Sequence, residues 1–460
     1  MLTATTDWNR TAGTRGVLLT GVLAMAAVTA APPAVAEAQT RLDPRIETAV
    51  AEISAENLER LLTRLVAFGT RNTLSALYDS VGYGINAASD WMLEEMQSYS
   101  PRLQLSFDSY QVAAQGRITQ EVTLRNVKAI LPGRSQRRIY VIGHYDSLAR
   151  LPLDAGFDWS QYNHPAPGAN DDGSGTVLTM ELARVLSQSG IEFEATLVFM
   201  PVAGEEQGLV GARLHAQRAV AEGIPIDAVF SNDIVGGSVG GNGIVDSRTI
   251  RIFSEGPEDS PSRHMARYIR DHASPYVPGH HIRLIAREDR FGRGGDHTAF
   301  NQQGFTAVRF TESRENYSKQ HVMEDTLDGI DWAYLARNAR VNIAAMMTMA
   351  LAPQAPNVNS PQGNPMLTRG GGYDAHLRWE DSPGAVAYRV FWRDGWSLDW
   401  EYSVVVGDVT EHLLPDMSID DYLYGVAAIG PHGHESMVSP YVRPDREFVE
   451  IRTVGENQDR

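Results

Sequence analysis

The chain of 460 residues contains no cysteine, which excludes disulfides, thiolate metal sites, iron–sulfur clusters and a cysteine nucleophile together. Any metal must therefore sit on oxygen and nitrogen. Lysine is nearly absent as well, with Lys128 and Lys319 against 38 arginines, a bias that we ascribe to genome composition. Positive charge as a whole is scarce: 40 basic side chains face 57 acidic ones for a net charge of −17. That balance speaks against a phosphate-tracking nucleic-acid binder, which needs a basic surface to release counterions. A second long apolar run is also lacking, and the one present, residues 16–31, is shorter than the ~20 residues of a membrane-spanning helix.

What is there is enough for a large core. With 43% hydrophobic and 21% charged residues the chain is not disordered. Arg10 and Arg15 precede the apolar run, and Ala34-Val35-Ala36 or Ala36-Glu37-Ala38 follows it as a small-x-small cleavage site. This is the pattern of a signal peptide over residues 1–38, and it predicts export to the periplasm or the exterior without a mature transmembrane segment. The segment holds Asp7, Glu37, Arg10 and Arg15, so the mature net charge stays at −17.

Residues 49–68 and 84–98 carry apolar positions at helical spacing, as in Leu58, Leu61, Leu62, Leu65 and Val66. Short β-type runs follow at 138–143, 195–202 and 228–231, with helical segments at 175–187 and 209–221 between them. That alternation predicts an α/β sheet covered by helices. A helix over 332–351 ends in Ala-Pro-Gln-Ala-Pro, which cannot continue it. Beyond this linker, residues 357–447 read as short alternating strands separated by turns, the pattern of a β-sandwich. The expected organisation is a catalytic domain over 39–352, an all-β sandwich over 353–447 and a tail over 448–460. The last 108 residues carry −9 of the net charge.

Five segments place metal-ligand side chains in order along the α/β part: His144-Tyr145-Asp146, residues 170–175 with Asp171 and Asp172, residues 204–208 with Glu205 and Glu206, Asn232-Asp233, and Gln320-His321 followed by Glu324-Asp325-Thr326. Each alone is a turn, a helix cap or a satisfied polar residue. Together, at strand ends and in the loops after them, they form the kind of titratable cluster found at functional sites. Zinc without thiolates takes imidazole nitrogen and carboxylate oxygen, and two ions about 3.5–4 Å apart need a bridging ligand. Asp171 can bridge, with His144 and Asp233 on one ion and Glu206 and His321 on the other. Three carboxylates against two divalent ions leave one positive charge for a bridging hydroxide to neutralise. Glu205 is the natural general base, and Asp146 can orient the His144 imidazole from behind.

At these residues the chain resembles the M28 family of zinc aminopeptidases. His144-Tyr145-Asp146-Ser147, the 169–175 segment, Glu205-Glu206-Gln207-Gly208, Ser231-Asn232-Asp233 and the late His321 match the family motifs in order over roughly residues 85–350. The resemblance implies a mixed-sheet α/β catalytic domain, two zinc ions and hydrolysis of the N-terminal residue of a peptide that has a free N-terminus. It assigns bridging to Asp171 and the base role to Glu205. Gly295-Asp296-His297 is similar to a Ser-Asp-His element of the family. The family's Tyr before the last His, placed to donate to the tetrahedral intermediate, is replaced by Gln320; Tyr317 is either its substitute or a packing residue.

The C-terminal part resembles a fibronectin type III module, with Trp379 as core tryptophan and Tyr422 near the tyrosine-corner position; a protein or surface contact is the expected role. His432-Gly433-His434-Glu435 reads as a turn, and His280-His281 as a loop or strand start. Two other functions are weighed. A glutaminyl cyclase is similar in this family and often uses one zinc, but tends to carry Trp where Gln320 stands. A non-catalytic surface-binding protein on the same scaffold would have shed ligands and base, all of which are present.

Overall fold

The computed structural model describes residues 42–77, 81–150, 157–160 and 162–442. The expected signal peptide and the 448–460 tail lie outside the described residues. Two N-terminal helices, α1 (Pro44–Ala51) and α2 (Ala55–Val66), replace the single helical stretch expected over 49–68. Ser54 separates them, because its hydroxyl accepts from Asn57 N at 3.0 Å and caps α2, a contact whose loss costs about 1 kcal/mol. The apolar stripe of α2 is buried as its spacing requires: Leu58, Leu61, Leu62 and Leu65 are solvent-free, and truncating one to Ala would cost ~2–5 kcal/mol.

After α3 (Gly84–Gln97) come β1 (Gln104–Val112), β2 (Val122–Leu131), β3 (Arg138–His144), α4 (Ser174–Gln188), β4 (Thr196–Val202), α5 (Val210–Ala221), β5 (Ile226–Asn232), β6 (Thr249–Phe253), α6 (Pro261–Ala273), β7 (His281–Ile285), α7 (Asp296–Asn301), β8 (Ala307–Glu312) and α8 (Trp332–Leu351). The strands form one mixed sheet in the order β1-β2-β4-β3-β5-β8-β6-β7. Its centre, β4-β3-β5-β8, is parallel, whereas β1, β2 and β6 pair antiparallel with their neighbours toward β4 and β8.

The central strands read as unbroken apolar runs because both faces are covered. Ile139 and Val141 of β3 face the core under α2, α4 and α8, while Tyr140 and Ile142 face α5 and α7, as a period of two demands. Two glycines set the distance between β3 and α4. A Cβ on Gly143 would lie 2.4 Å from Gly175 C, and one on Gly175 would lie 2.2 Å from Asn232 O. Only glycine permits this approach, which brings the ends of β3 and β5 together at the start of α4.

Beyond α8 stand seven further strands, β9 (Leu367–Arg369), β10 (Ala375–Arg378), β11 (Ala387–Asp394), β12 (Tyr402–Val406), β13 (Glu411–Leu414), β14 (Tyr422–Ile429) and β15 (Ser439–Pro440). They form two antiparallel sheets, β13-β10-β9 and β12-β11-β14-β15, around a core that includes Trp379, Tyr388 and Val390. Of the two tyrosines in β14 it is Tyr424 whose hydroxyl donates to Ser418 O, at 3.1 Å, and whose ring is 1% exposed. Tyr422, two residues before it, is half-buried. These sheets dock on the α/β part. Arg393 pairs with Asp259, Trp400 stacks on His264 of α6, and His434 Nε2 lies 2.8 Å from Asp43 Oδ2 at the cap of α1.

Candidate metal centre

The parallel strands β3, β4, β5 and β8 end on the same edge of the sheet, and the five predicted segments meet there. His144 closes β3 and is 1% exposed; its Nε2 is 3.2 Å from Asp171 Oδ1 and 3.9 Å from Asp233 Oδ1. His321, beyond β8, approaches from the other side, with Nε2 3.1 Å from Asp171 Oδ2 and 3.1 Å from Glu206 Oε2. One carboxylate thus offers one oxygen to each imidazole. Glu206 Oε1 is buried without a protein partner.

The charges of the cluster call for cations. Burial opposes protonation of both imidazoles, yet Asp146 and Asp171 hold His144 well above the usual histidine range, and Glu206 and Asp171 push His321 up to about 11. Burial alone would raise Asp171, but the bonds from His144 and His321 keep it well below the ordinary carboxylate range. Imidazole nitrogens this close to carboxylate oxygens bind protons more tightly than usual, and metal and proton compete for such groups. The nitrogen and oxygen donor set suits zinc.

Asp146 lies behind this layer, fully buried. Its carboxylate accepts from Glu205 N at 3.2 Å and Glu206 N at 3.1 Å, and His144 Nδ1 is 3.2 Å from its carbonyl and 3.5 Å from Oδ1. One side chain therefore ties the end of β3 to the loop after β4. Glu205, beside Glu206, is half-buried. Its removal from water and the negative charges of Glu206, Asp233 and Asp296 raise its carboxyl well above the ordinary range, against the pull of His144.

Four supporting residues were given no role by the sequence reading, although Asp172 and Asp325 lie in the segments it singled out. Asp172 accepts from three backbone amides, His144 N, Gly175 N and Ile234 N. Asp325 receives Asn170 N and Asp171 N on its two oxygens at 2.8 and 2.9 Å. Arg71, with no exposure, donates to the carbonyls of Tyr145, Pro167 and Gly168. Arg309 reaches Asp233 Oδ2 at 3.2 Å and Asp289 Oδ1 at 2.8 Å. Arg309 left a further signal, a charged residue within the buried strand β8.

The Gly295-Asp296-His297 string opens α7 with both side chains buried. Burial pushes Asp296 up to about 8, with His144 opposing and Asp146 and Asp233 adding to the shift. Gln320 is turned into an ionic network: its amide donates to Glu315 Oε2 at 3.1 Å and its carbonyl accepts from Arg293 at 3.3 Å. Tyr317 is 61% exposed and lines a separate groove. His432 and His434 flank a turn, Gly433 N donating to Gly430 O.

Residues 126–346 match Peptidase family M28. A probable zinc metalloprotease of Leptosphaeria maculans is 37% identical over 437 residues, which cover 87% of this chain and 97% of the relative. The chain belongs to peptidase family M28. Its fold is also that of two solved structures. The aminopeptidase LapA of Legionella pneumophila aligns with a TM-score of 0.52 at 19% identity, over 68% of this chain and 76% of its own. The glutaminyl cyclase of Porphyromonas gingivalis aligns with a TM-score of 0.51 at 17% identity, over 64% and 97%. The two likenesses are equal in strength, so the fold of this M28 chain does not choose between hydrolysis and cyclisation.

Proposed function

We propose that this M28 chain is an exported aminopeptidase that carries two zinc ions and removes the N-terminal residue of peptides. The observation that carries the reading is the shared carboxylate of Asp171, one oxygen toward His144 and the other toward His321, which is what a ligand common to two ions requires. Asp233 and Glu206 complete the two sets. Zinc so bound supplies Lewis acidity toward water and the peptide carbonyl.

The protein's own groups do the rest. Glu205 takes the proton of the attacking water and returns it to the leaving amine, a role served by a carboxyl whose affinity for protons is raised. Asp146 orients His144 and holds the amides of Glu205 and Glu206, so base and ligands are positioned by one group. With Gln320 engaged by Glu315 and Arg293, and Tyr317 turned to solvent, neither serves as the donor to the developing oxyanion.

Export is supported by the basic start, apolar run and small-x-small site of residues 1–38; no helix of the described residues is long and apolar enough to cross a membrane. The C-terminal sandwich, read as fibronectin type III-like from its strand order and from Trp379 and Tyr424, serves a protein or surface contact rather than the chemistry.

The test is release of free amino acid from unblocked and N-acetylated peptides by the zinc-loaded protein and by Glu205→Gln, with zinc counted by mass spectrometry. Two zinc ions per chain, cleavage confined to unblocked peptides, and a loss of about 10²–10⁴ in kcat with zinc retained in the variant are expected. Cyclisation of N-terminal glutamine without hydrolysis would replace this reading with the cyclase one.

A further inference from the structure

A groove of about 470 Å3 opens where β6 and β7 meet the chain after β8, lined by Arg251, Arg283, Arg314 and Tyr317 with Glu315 in its wall. Of the three arginines, Arg251 has an acidic partner, Glu315 Oε1 at 3.0 Å. Glu315 is buried, and its other oxygen is taken by Arg290 at 3.0 Å and Gln320 at 3.1 Å. It has no remaining oxygen for the other two. Arg283 and Arg314 are exposed and pair with no carboxylate among the described residues. On a chain with a net charge of −17, two exposed guanidinium groups without a carboxylate partner, brought together in one concavity, mark a place for an anion. Guanidinium groups match carboxylates in shape and charge.

The groove is tied to the metal centre through buried polar contacts. Glu315 binds Gln320, the residue before His321, and shares Arg290 with Asp233, whose Oδ2 is 3.9 Å from that guanidinium. Tyr317 at the rim stands four residues before His321. A peptide held at the centre by its N-terminus has to send its remaining residues away from the cluster, and this basic concavity is joined to the cluster by Glu315 with Arg290 and Gln320.

We propose that the groove is a subsite for carboxylates of the substrate peptide beyond the cleaved bond, so that the enzyme prefers peptides with acidic residues after the first ones. The proposal rests on the aminopeptidase reading and deepens it. Arg283 and Arg314 supply the attraction and Arg251 the neutral, Glu315-paired floor. Because both free arginines are exposed, the preference weakens with salt.

The experiment uses the full-length zinc-loaded protein and Arg283→Gln/Arg314→Gln, with Leu-Ala-Glu-Glu, Leu-Ala-Gln-Gln and leucine p-nitroanilide as substrates at constant ionic strength. The wild type is expected to favour the acidic tetrapeptide about tenfold in kcat/KM, the effect of two surface ion pairs near the top of their usual range, and mainly through KM. The double variant is expected to lose that preference while its p-nitroanilide turnover is unchanged. Equal use of both tetrapeptides by the wild type, or a preference that survives in the variant, would overturn the proposal. Binding of a fluorescent N-acetylated acidic peptide, read by anisotropy, separates this outcome from failure of the aminopeptidase reading. If no substrate is turned over, binding that the double variant loses still supports the groove; equal binding by both proteins, no binding, or displacement by equimolar inorganic phosphate refutes it.

Discussion

Arg309 and Asp233 form an ion pair inside the protein, Nη2 to Oδ2 at 3.2 Å, with no solvent exposure of the arginine. The same guanidinium reaches Asp289 Oδ1 at 2.8 Å. Asp233 therefore keeps Oδ1 toward His144 while Oδ2 is held from behind. Removing one member of a buried pair leaves the other charge unsolvated, at a cost of about 3–5 kcal/mol. Arg309→Met should lower the urea midpoint of the metal-free protein by that amount of stability, whereas Arg309→Lys keeps one charge and loses less. An unchanged midpoint in Arg309→Met would show that the pair is not stabilising.

The contact between β3 and α4 is tested by Gly175→Ala. The added carbon would meet Asn232 O at 2.2 Å and the carboxylate of Asp172 at 2.5 Å, so backbone must move. Overpacking of this kind costs about 1–3 kcal/mol, and here it also displaces the chain leading to Asp233. Both the melting temperature and zinc retention against a chelator should fall; wild-type values for both would show that the strand end can yield freely.

His280 makes stability depend on acid. Burial lowers it to about 4, even though Asn338 Oδ1 at 2.8 Å favours the proton. A histidine whose folded pKa lies below its unfolded value of 6.5 binds its proton first in the unfolded chain. Stability is thus full above pH 6.5, falls between 6.5 and 4, and levels off below. The window corresponds to about 3 kcal/mol. His280→Gln should flatten that part of the urea-stability profile relative to the wild type. Parallel profiles for the two proteins would rule the histidine out.

Deletion of residues 353–460 should separate stability from chemistry. The sandwich touches the α/β part through Arg393 and Asp259, Trp400 and His264, and His434 and Asp43, all remote in sequence from the ligand segments. A lower melting temperature with little change in kcat for leucine p-nitroanilide is expected. A folded truncation that has lost its turnover would give the module a part in the reaction.

The segments that meet at the candidate centre were legible from residue type and order, because a zinc site without thiols draws on few side chains and a parallel sheet presents its strand ends on one edge. For the same reason the apolar runs of β3, β4 and β5 and the whole of α8 could be read from local pattern. The groups that hold the site were not. Asp172 and Asp325 look like ordinary turn residues until the fold brings backbone amides to their oxygens, and Arg309 is an unexplained charge in a strand until Asp233 and Asp289 arrive from other segments. Likewise, the engagement of Gln320 by Glu315 and Arg293, and the freedom of Arg283 and Arg314, depend on which charges meet across the sheet. Residue chemistry along the chain is enough to pick out the segments that gather and the family they resemble; which buried charges are paired and which are left open follows from long-range contacts, since pairing depends on distances that no local pattern encodes.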